Sequence, residues 1–120
     1  MTEAKRILVV DDDEAVATML SRALARHGFK IDTARSGDEA LARAEGGGYD
    51  AAILDLVMPG RDGADLGAVL AAQRPDLTIA FLTGYQNSPL IDAARRAGRV
   101  VFAKPVVVQE LVDFLKAELR

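Results

Sequence analysis

Five short runs of mostly apolar, β-prone residues alternate along the chain with five stretches whose apolar residues recur at helical spacing. RILVV (6–10) reads as a strand buried on both faces. Asp13 stands where a helix cap belongs, ahead of a helix running to about Arg26. Val16, Met19, Leu20, Ala23 and Leu24 are expected on its inward face, with Gly28 as the stop. FKIDTA (29–34) is a second, more polar strand. Ser36 and Glu39 have capping-box spacing before a helix that carries Ala40, Leu41 and Ala44 into Gly46, Gly47 and Gly48. AAILD (51–55) is the third strand; a loop with Pro59, Gly60 and Gly63 leads to a helix over about 64–74, ended by Pro75. LTIAFL (77–82) is the fourth strand, and Ser88-Pro89 opens a helix that closes at Gly98. VVFA (100–103) is the fifth, and a last helix, about 107–119, buries Val108, Leu111, Val112 and Leu115. Five strands that each lead into a helix imply parallel pairing. The pattern therefore predicts an α/β fold, a single domain with one parallel five-stranded sheet covered on both faces.

Composition narrows the function. At 120 residues, half of them apolar, the chain has material for one core and no more. Five strand–helix units would occupy all of it, so one domain over 1–120 with no output domain is expected. Fifteen basic and eighteen acidic residues give a net charge of −3 with no basic block, which argues against direct contact with nucleic acid or an anionic membrane. Cysteine is absent and histidine occurs once, so thiol chemistry and clustered His ligation are excluded. His27 reads as a surface residue at a helix end. The apolar runs are strand-sized, and residues 1–6 lack the apolar segment of a leader peptide. A soluble cytoplasmic protein, monomeric or weakly dimeric, is expected.

The unusual polar residues fall at the strand ends. Asp11 and Asp12 follow the first strand, Asp55 closes the third, Thr83 follows the fourth and Lys104 follows the fifth. In open α/β sheets ligands bind beyond the carboxyl ends of the strands, so all five belong to one rim. Clustered carboxylates raise one another's pKa unless a cation lies among them. Mg²⁺ suits Asp11, Asp12 and Asp55, because it takes hard oxygens and completes its octahedron with water and phosphate. Lys104 would then serve as a point charge for an anion beside the metal, and Thr83 as a hydroxyl donor to it. That set describes phosphoryl transfer with a carboxylate nucleophile and an aspartyl phosphate product.

VVDDDE, ILDLVMPGRDG, FLTG and FAKP, in this order and spacing, resemble the receiver domains of two-component response regulators over essentially the whole chain. The resemblance implies a doubly wound (βα)5 fold with flavodoxin-like strand order 2-1-3-4-5. It implies Asp55 as phosphoacceptor, with Asp11 and Asp12 organising Mg²⁺ together with Asp55 and the backbone carbonyl of Val57. It implies Thr83 as switch hydroxyl, Lys104 as phosphate contact, and a cis peptide bond before Pro105. Gly84 would leave room for the phosphoryl group and an attacking water. Asp13, third of the opening run, is left to cap the helix. The implied partners are a histidine kinase or histidine phosphotransfer protein and an unidentified output protein. The domain is then no conventional enzyme, although it assists its own phosphorylation and dephosphorylation at Asp55.

Two positions depart from the family pattern. Val101 stands where an aromatic usually precedes the lysine by three residues, and Phe102 should face the other side of its strand. Tyr85, two residues after Thr83, is the alternative reporter, in a run FLTGY that resembles a motif of some stand-alone receivers. Val106 replaces the aromatic that often follows Lys-Pro. A sink or relay without output would use the same chemistry. A haloacid-dehalogenase-like phosphatase is the alternative of another class, since Asp11 and Asp13 have its spacing. It would need Thr or Val where Ala15 stands.

Overall fold

The computed structural model describes residues 3–58, 62–85 and 88–119. Elements follow one another as β1 (Arg6–Val10), α1 (Glu14–Arg26), β2 (Lys30–Ala34), α2 (Gly37–Glu45), β3 (Ala51–Asp55), α3 (Gly63–Gln73), β4 (Thr78–Thr83), α4 (Pro89–Arg96), β5 (Val100–Ala103) and α5 (Val108–Glu118). The strands form one parallel sheet in the order β2-β1-β3-β4-β5. Each element lies within a residue or so of its expected bounds. The shift that matters is in β4, which starts and ends one residue later than expected and so holds Thr83 as its last residue.

Alternation along the strands divides the core into two layers. Ile7, Val9, Ile53, Ala80 and Leu82 face Leu20 and Leu24 of α1 and Leu111, Val112 and Leu115 of α5. Leu8, Val10, Leu54, Ile79 and Phe81 face the other way, onto Ala40 of α2, Leu66 and Leu70 of α3, and Ile91 and Ala94 of α4. β3 is buried along its whole length, as its uninterrupted apolar run requires. β5 is an edge strand and only partly covered.

Local chemistry sets the helix ends. The Asp13 carboxylate accepts from the Ala15 and Val16 amides, and the Ser36 and Ser88 hydroxyls accept from Glu39 and Leu90. Gly28 and Gly98, at φ of +92° and +79°, take the left-handed conformation that reverses the chain after α1 and α4. At the pole opposite the carboxyl ends, Arg6 lies over the Tyr49 ring, 4.7 Å from its centroid, and pairs with Asp32 at 3.2 Å; Tyr49 donates to the same Asp32 carboxylate at 2.6 Å. This cluster joins β1, β2 and the turn before β3. Pro59 and Gly60 lie outside the described residues.

One expectation about packing is corrected. Met19 is 40 % exposed, and Ala17 is buried instead. The inward stripe of α1 runs Ala17, Leu20, Leu24; Met19, one residue before Leu20, is about 100° round the helix from it. Val16 and Ala23 flank the stripe and are half-buried. Leu20→Ala should therefore cost about 2–5 kcal/mol in urea unfolding, whereas Met19→Ala should stay within about 0.5 kcal/mol of the parent. Equal losses would mean that the stripe is assigned to the wrong face.

Candidate functional site

Backbone pairing brings the polar residues together before any side chain does. β3 and β4 pair Asp55 with Leu82, and β4 and β5 pair Thr83 with Ala103. Beyond the ladder, the Asp11 amide donates to Ala34 (3.1 Å), the Leu56 amide to Leu82 (2.9 Å) and the Lys104 amide to Thr83 (2.8 Å). Asp11, Asp55, Thr83 and Lys104 thus lie at the carboxyl ends of β1, β3, β4 and β5, across the switch point where β1 meets β3.

Asp11 is fully buried and its two oxygens differ. Oδ1 accepts from the Asp13 amide at 2.9 Å. Oδ2 lies 2.7 Å from Lys104 Nζ. Lys104 Nζ also lies 3.3 Å from Asp55 Oδ2, so one ammonium bridges the two buried carboxylates. Asp12 stands exposed on the rim, and one carboxylate oxygen from each of Asp11, Asp12 and Asp55 falls within 4.8 Å of the others.

Three carboxylates around one ammonium leave excess negative charge. Burial pushes the Asp55 pKa up, and the Asp11 charge pushes it further; Lys104 and the Val57 amide pull it back only in part, to about 6. Burial alone would lower Lys104, but the two carboxylates outweigh it and hold the ammonium charged. The donor set is all hard oxygen, its carboxylate oxygens within 4.8 Å of one another. These residues fit a small dication such as Mg²⁺.

Thr83 is buried, and its Oγ1 accepts from the Tyr85 amide at 3.1 Å. Gly84 is exposed with open space where a Cβ would stand. An open cleft of about 490 Å³ lies over Asp55, with Asp12, Val57, Tyr85 and Lys104 on its walls. The side chain of Val57 has no ligand atom, so it could reach a metal only through its carbonyl. The Lys104–Pro105 bond is cis. Val101 packs toward the α4 side of the sheet. Phe102 turns to the α5 side and meets Phe114 edge-on, with centroids 5.6 Å apart. Two neighbours of the site were not singled out in the sequence. Met58 is buried beneath the cleft, and Gly63, read only as a loop residue, packs against the Asp55 backbone. Asp13 is committed to the α1 cap and is exposed, which removes the spacing argument for the phosphatase reading.

The raised Asp55 pKa has a definite sign. The folded chain holds this proton more tightly than the unfolded chain, so ionised Asp55 opposes folding above pH 6, and the penalty fades as pH falls toward 4. In the presence of EDTA, Asp55→Asn should be more stable than the parent by about 1–3 kcal/mol at pH 8, and the difference should shrink at pH 4.5. Urea titrations at both pH values check this. A difference that does not change with pH would contradict it.

The sequence model of the response regulator receiver domain family matches residues 7–116. The transcriptional regulatory protein PrrA of Mycobacterium leprae is 39% identical over 116 residues, 96% of this chain and 50% of that protein. TcrA of Mycobacterium tuberculosis is 42% identical over 78 residues, 65% of this chain and 31% of that protein. The chain thus spans about half, or less, of these curated relatives. Among solved structures, a CheY-like receiver domain protein of Methanospirillum hungatei superimposes with a TM-score of 0.90 at 29% identity, covering 97% of this chain and 94% of the other. The Thermotoga maritima response regulator TrrA, crystallised with Mg²⁺ and BeF, gives 0.85 at 35% identity, with 95% and 98% covered. No helix among the described residues is long and apolar enough to cross a membrane. With its strand order, its acidic pocket and a family match over nearly its whole length, this chain belongs to the response regulator receiver domain family.

Proposed function

We propose that Asp55 accepts a phosphoryl group from a phosphohistidine on a histidine kinase or histidine phosphotransfer protein, and that this changes which protein partner the domain binds. The observation that carries the reading is the bridge of Lys104 Nζ to Asp11 at 2.7 Å and Asp55 at 3.3 Å, at the floor of an open cleft. An Asp55 carboxylate oxygen attacks phosphorus; the bond from phosphorus to the donor's imidazole nitrogen breaks, and its electron pair stays on that nitrogen, which takes up a proton. Asp11, Asp12, Asp55 and the Val57 carbonyl would hold Mg²⁺. When bound, it offsets the charge of the phosphoryl oxygens. Mg²⁺ with BeF in TrrA, a relative of the same fold, supports this.

The remaining steps belong to the chain's own groups. Lys104 shifts from bridging carboxylates to pairing with a phosphoryl oxygen. The Thr83 hydroxyl turns to donate to another, and Gly84 leaves room for it and for the water that later hydrolyses the acyl phosphate. That turn takes from the Tyr85 amide its 3.1 Å acceptor. Tyr85, 59% exposed, borders a cleft of about 310 Å³ between α4 and β5 that Val101 is too small to fill. The signal therefore leaves through the β4–α4 connection and Tyr85, altering the α4, β5 and α5 face on which an output protein docks. In the stand-alone reading, that docking is the output.

Intact-protein mass spectrometry after incubation with acetyl phosphate and Mg²⁺ tests the chemistry. One labile phosphoryl adduct is expected, absent with EDTA and absent in Asp55→Ala. An adduct that survives in Asp55→Ala would move the acceptor elsewhere. For the signal path, Tyr85→Ala should take up phosphate at a rate within about threefold of the parent, since Tyr85 bears no transferring group. It should lose most of the phosphorylation-dependent change in hydrogen exchange across α4. An unchanged exchange pattern would return the signal to another route.

A further inference from the structure

The first residue of α3 lies against the backbone of the residue read as phosphoacceptor. The Gly63 amide donates to the Leu56 carbonyl at 2.8 Å. Gly63 is buried, and a Cβ built on it would overlap the Asp55 carbonyl oxygen and come within 2.8 Å of both the Asp55 carbonyl carbon and Leu56 Cα. Every one of these atoms is backbone, so no rotamer change could relieve the collision. Its φ is not positive. Glycine is required here for close approach and not for backbone conformation.

The peptide that Gly63 touches cannot easily move aside. Its nitrogen, that of Leu56, donates to Leu82 on β4 at 2.9 Å, and its carbonyl carbon belongs to Asp55, paired in the sheet with Leu82. α3 is fixed in turn by the Asp62 carboxylate, which accepts from the Asp65 amide at 2.7 Å, and by the buried Leu66 and Leu70. The Asp55–Leu56 peptide is thus clamped between β4 and the start of α3. The Asp55 carboxylate hangs from one end of it, and Val57 follows at the other.

We propose that Gly63 is a positioning residue for phosphoryl transfer. Its bare Cα lets the start of α3 press on the Asp55–Leu56 peptide and so sets the aim of the Asp55 carboxylate and of the Val57 carbonyl together. The inference rests on the reading of Asp55 as phosphoacceptor. A side chain at position 63 must displace that peptide, and a displacement of a fraction of an ångström is felt directly by a nucleophile and a metal ligand set.

Gly67, one turn further along α3, supplies the control. A Cβ there would meet the Phe81 ring at 2.8 and 3.2 Å and Leu54 Cδ1 at 3.5 Å, all side-chain atoms of the core. Gly63→Ala and Gly67→Ala should both lower the unfolding midpoint. Only Gly63→Ala should slow labelling by acetyl phosphate, by about 10- to 100-fold, with the loss persisting at saturating Mg²⁺ and donor. In metal-free protein only Gly63→Ala should move the NMR resonances of the Val57 amide and the Lys104 ammonium. Parental labelling in Gly63→Ala, or equal slowing in Gly67→Ala, would overturn the inference. A parent chain that takes no phosphate would instead bring down the reading of Asp55, and the inference with it. If Gly63→Ala does not fold, the parent chain still decides: its Gly63 amide resonance should follow Mg²⁺ addition with the same midpoint as Val57, and a Gly63 amide that stays fixed would overturn the inference.

Discussion

The ammonium of Lys104 is the interaction on which the site depends. Asp11 and Asp55 are 0% and 5% exposed, at the ends of two adjacent central strands. Two carboxylates so deprived of water would be driven to protonate unless a positive charge joined them. Lys104 reaches both from the edge strand and keeps the pocket charged. It does not neutralise the pocket, because Asp12 adds a third carboxylate on the rim. Two properties of the pocket have separate causes. Burial, and then the Asp11 charge, raise Asp55 to about 6, while the three clustered carboxylates suit the pocket to a dication. On the proposed reading, a phosphoryl oxygen would give Lys104 a new partner within the same site.

This arrangement requires a parallel sheet and tolerates little slack in it. The site's charged and hydroxyl groups come from the ends of β1, β3, β4 and β5, and their relative positions are set by strand register and not by local turns. Slipping any strand by one residue would turn its polar end residue to the opposite face. The apolar runs prevent that slip, since Ile53, Leu54, Leu82 and their neighbours fill both layers of the core. Burying the strands and aiming the site are therefore the same constraint. The clamp at Gly63 extends it to the peptide between Asp55 and Leu56.

Much of this was legible in the sequence, for physical reasons. The alternation of periods gave the strands and helices, and the position of Asp11, Asp12, Asp55 and Lys104 directly after apolar runs marked the rim. Ser36, Ser88 and Asp13 announced their helices because a cap is a local interaction. Met19 was misread because period alone does not choose between adjacent stripes of a helix; the sheet and α5 do that. The Arg6, Asp32 and Tyr49 cluster joins residues far apart in the chain and has no local signature. Gly63 was hidden for a related reason. A glycine beside a turn looks like a turn residue, and only the packed structure shows which backbone it touches.

The fifth strand shapes the cleft beside Thr83. Its two inner positions point to opposite layers: Phe102 is engaged with Phe114 on α5, whereas Val101 faces α4 and leaves a cleft beside Thr83. A ring held by edge-on stacking in one layer cannot serve as a moving part in the other. Tyr85 is the aromatic at the edge of that cleft, its amide bonded to the hydroxyl that the phosphoryl group would claim on the proposed reading. On that reading, the bond between Thr83 and the Tyr85 backbone takes the part that a strand-borne aromatic takes in the family pattern. The coupling then runs along the chain through two consecutive peptide units instead of across the sheet.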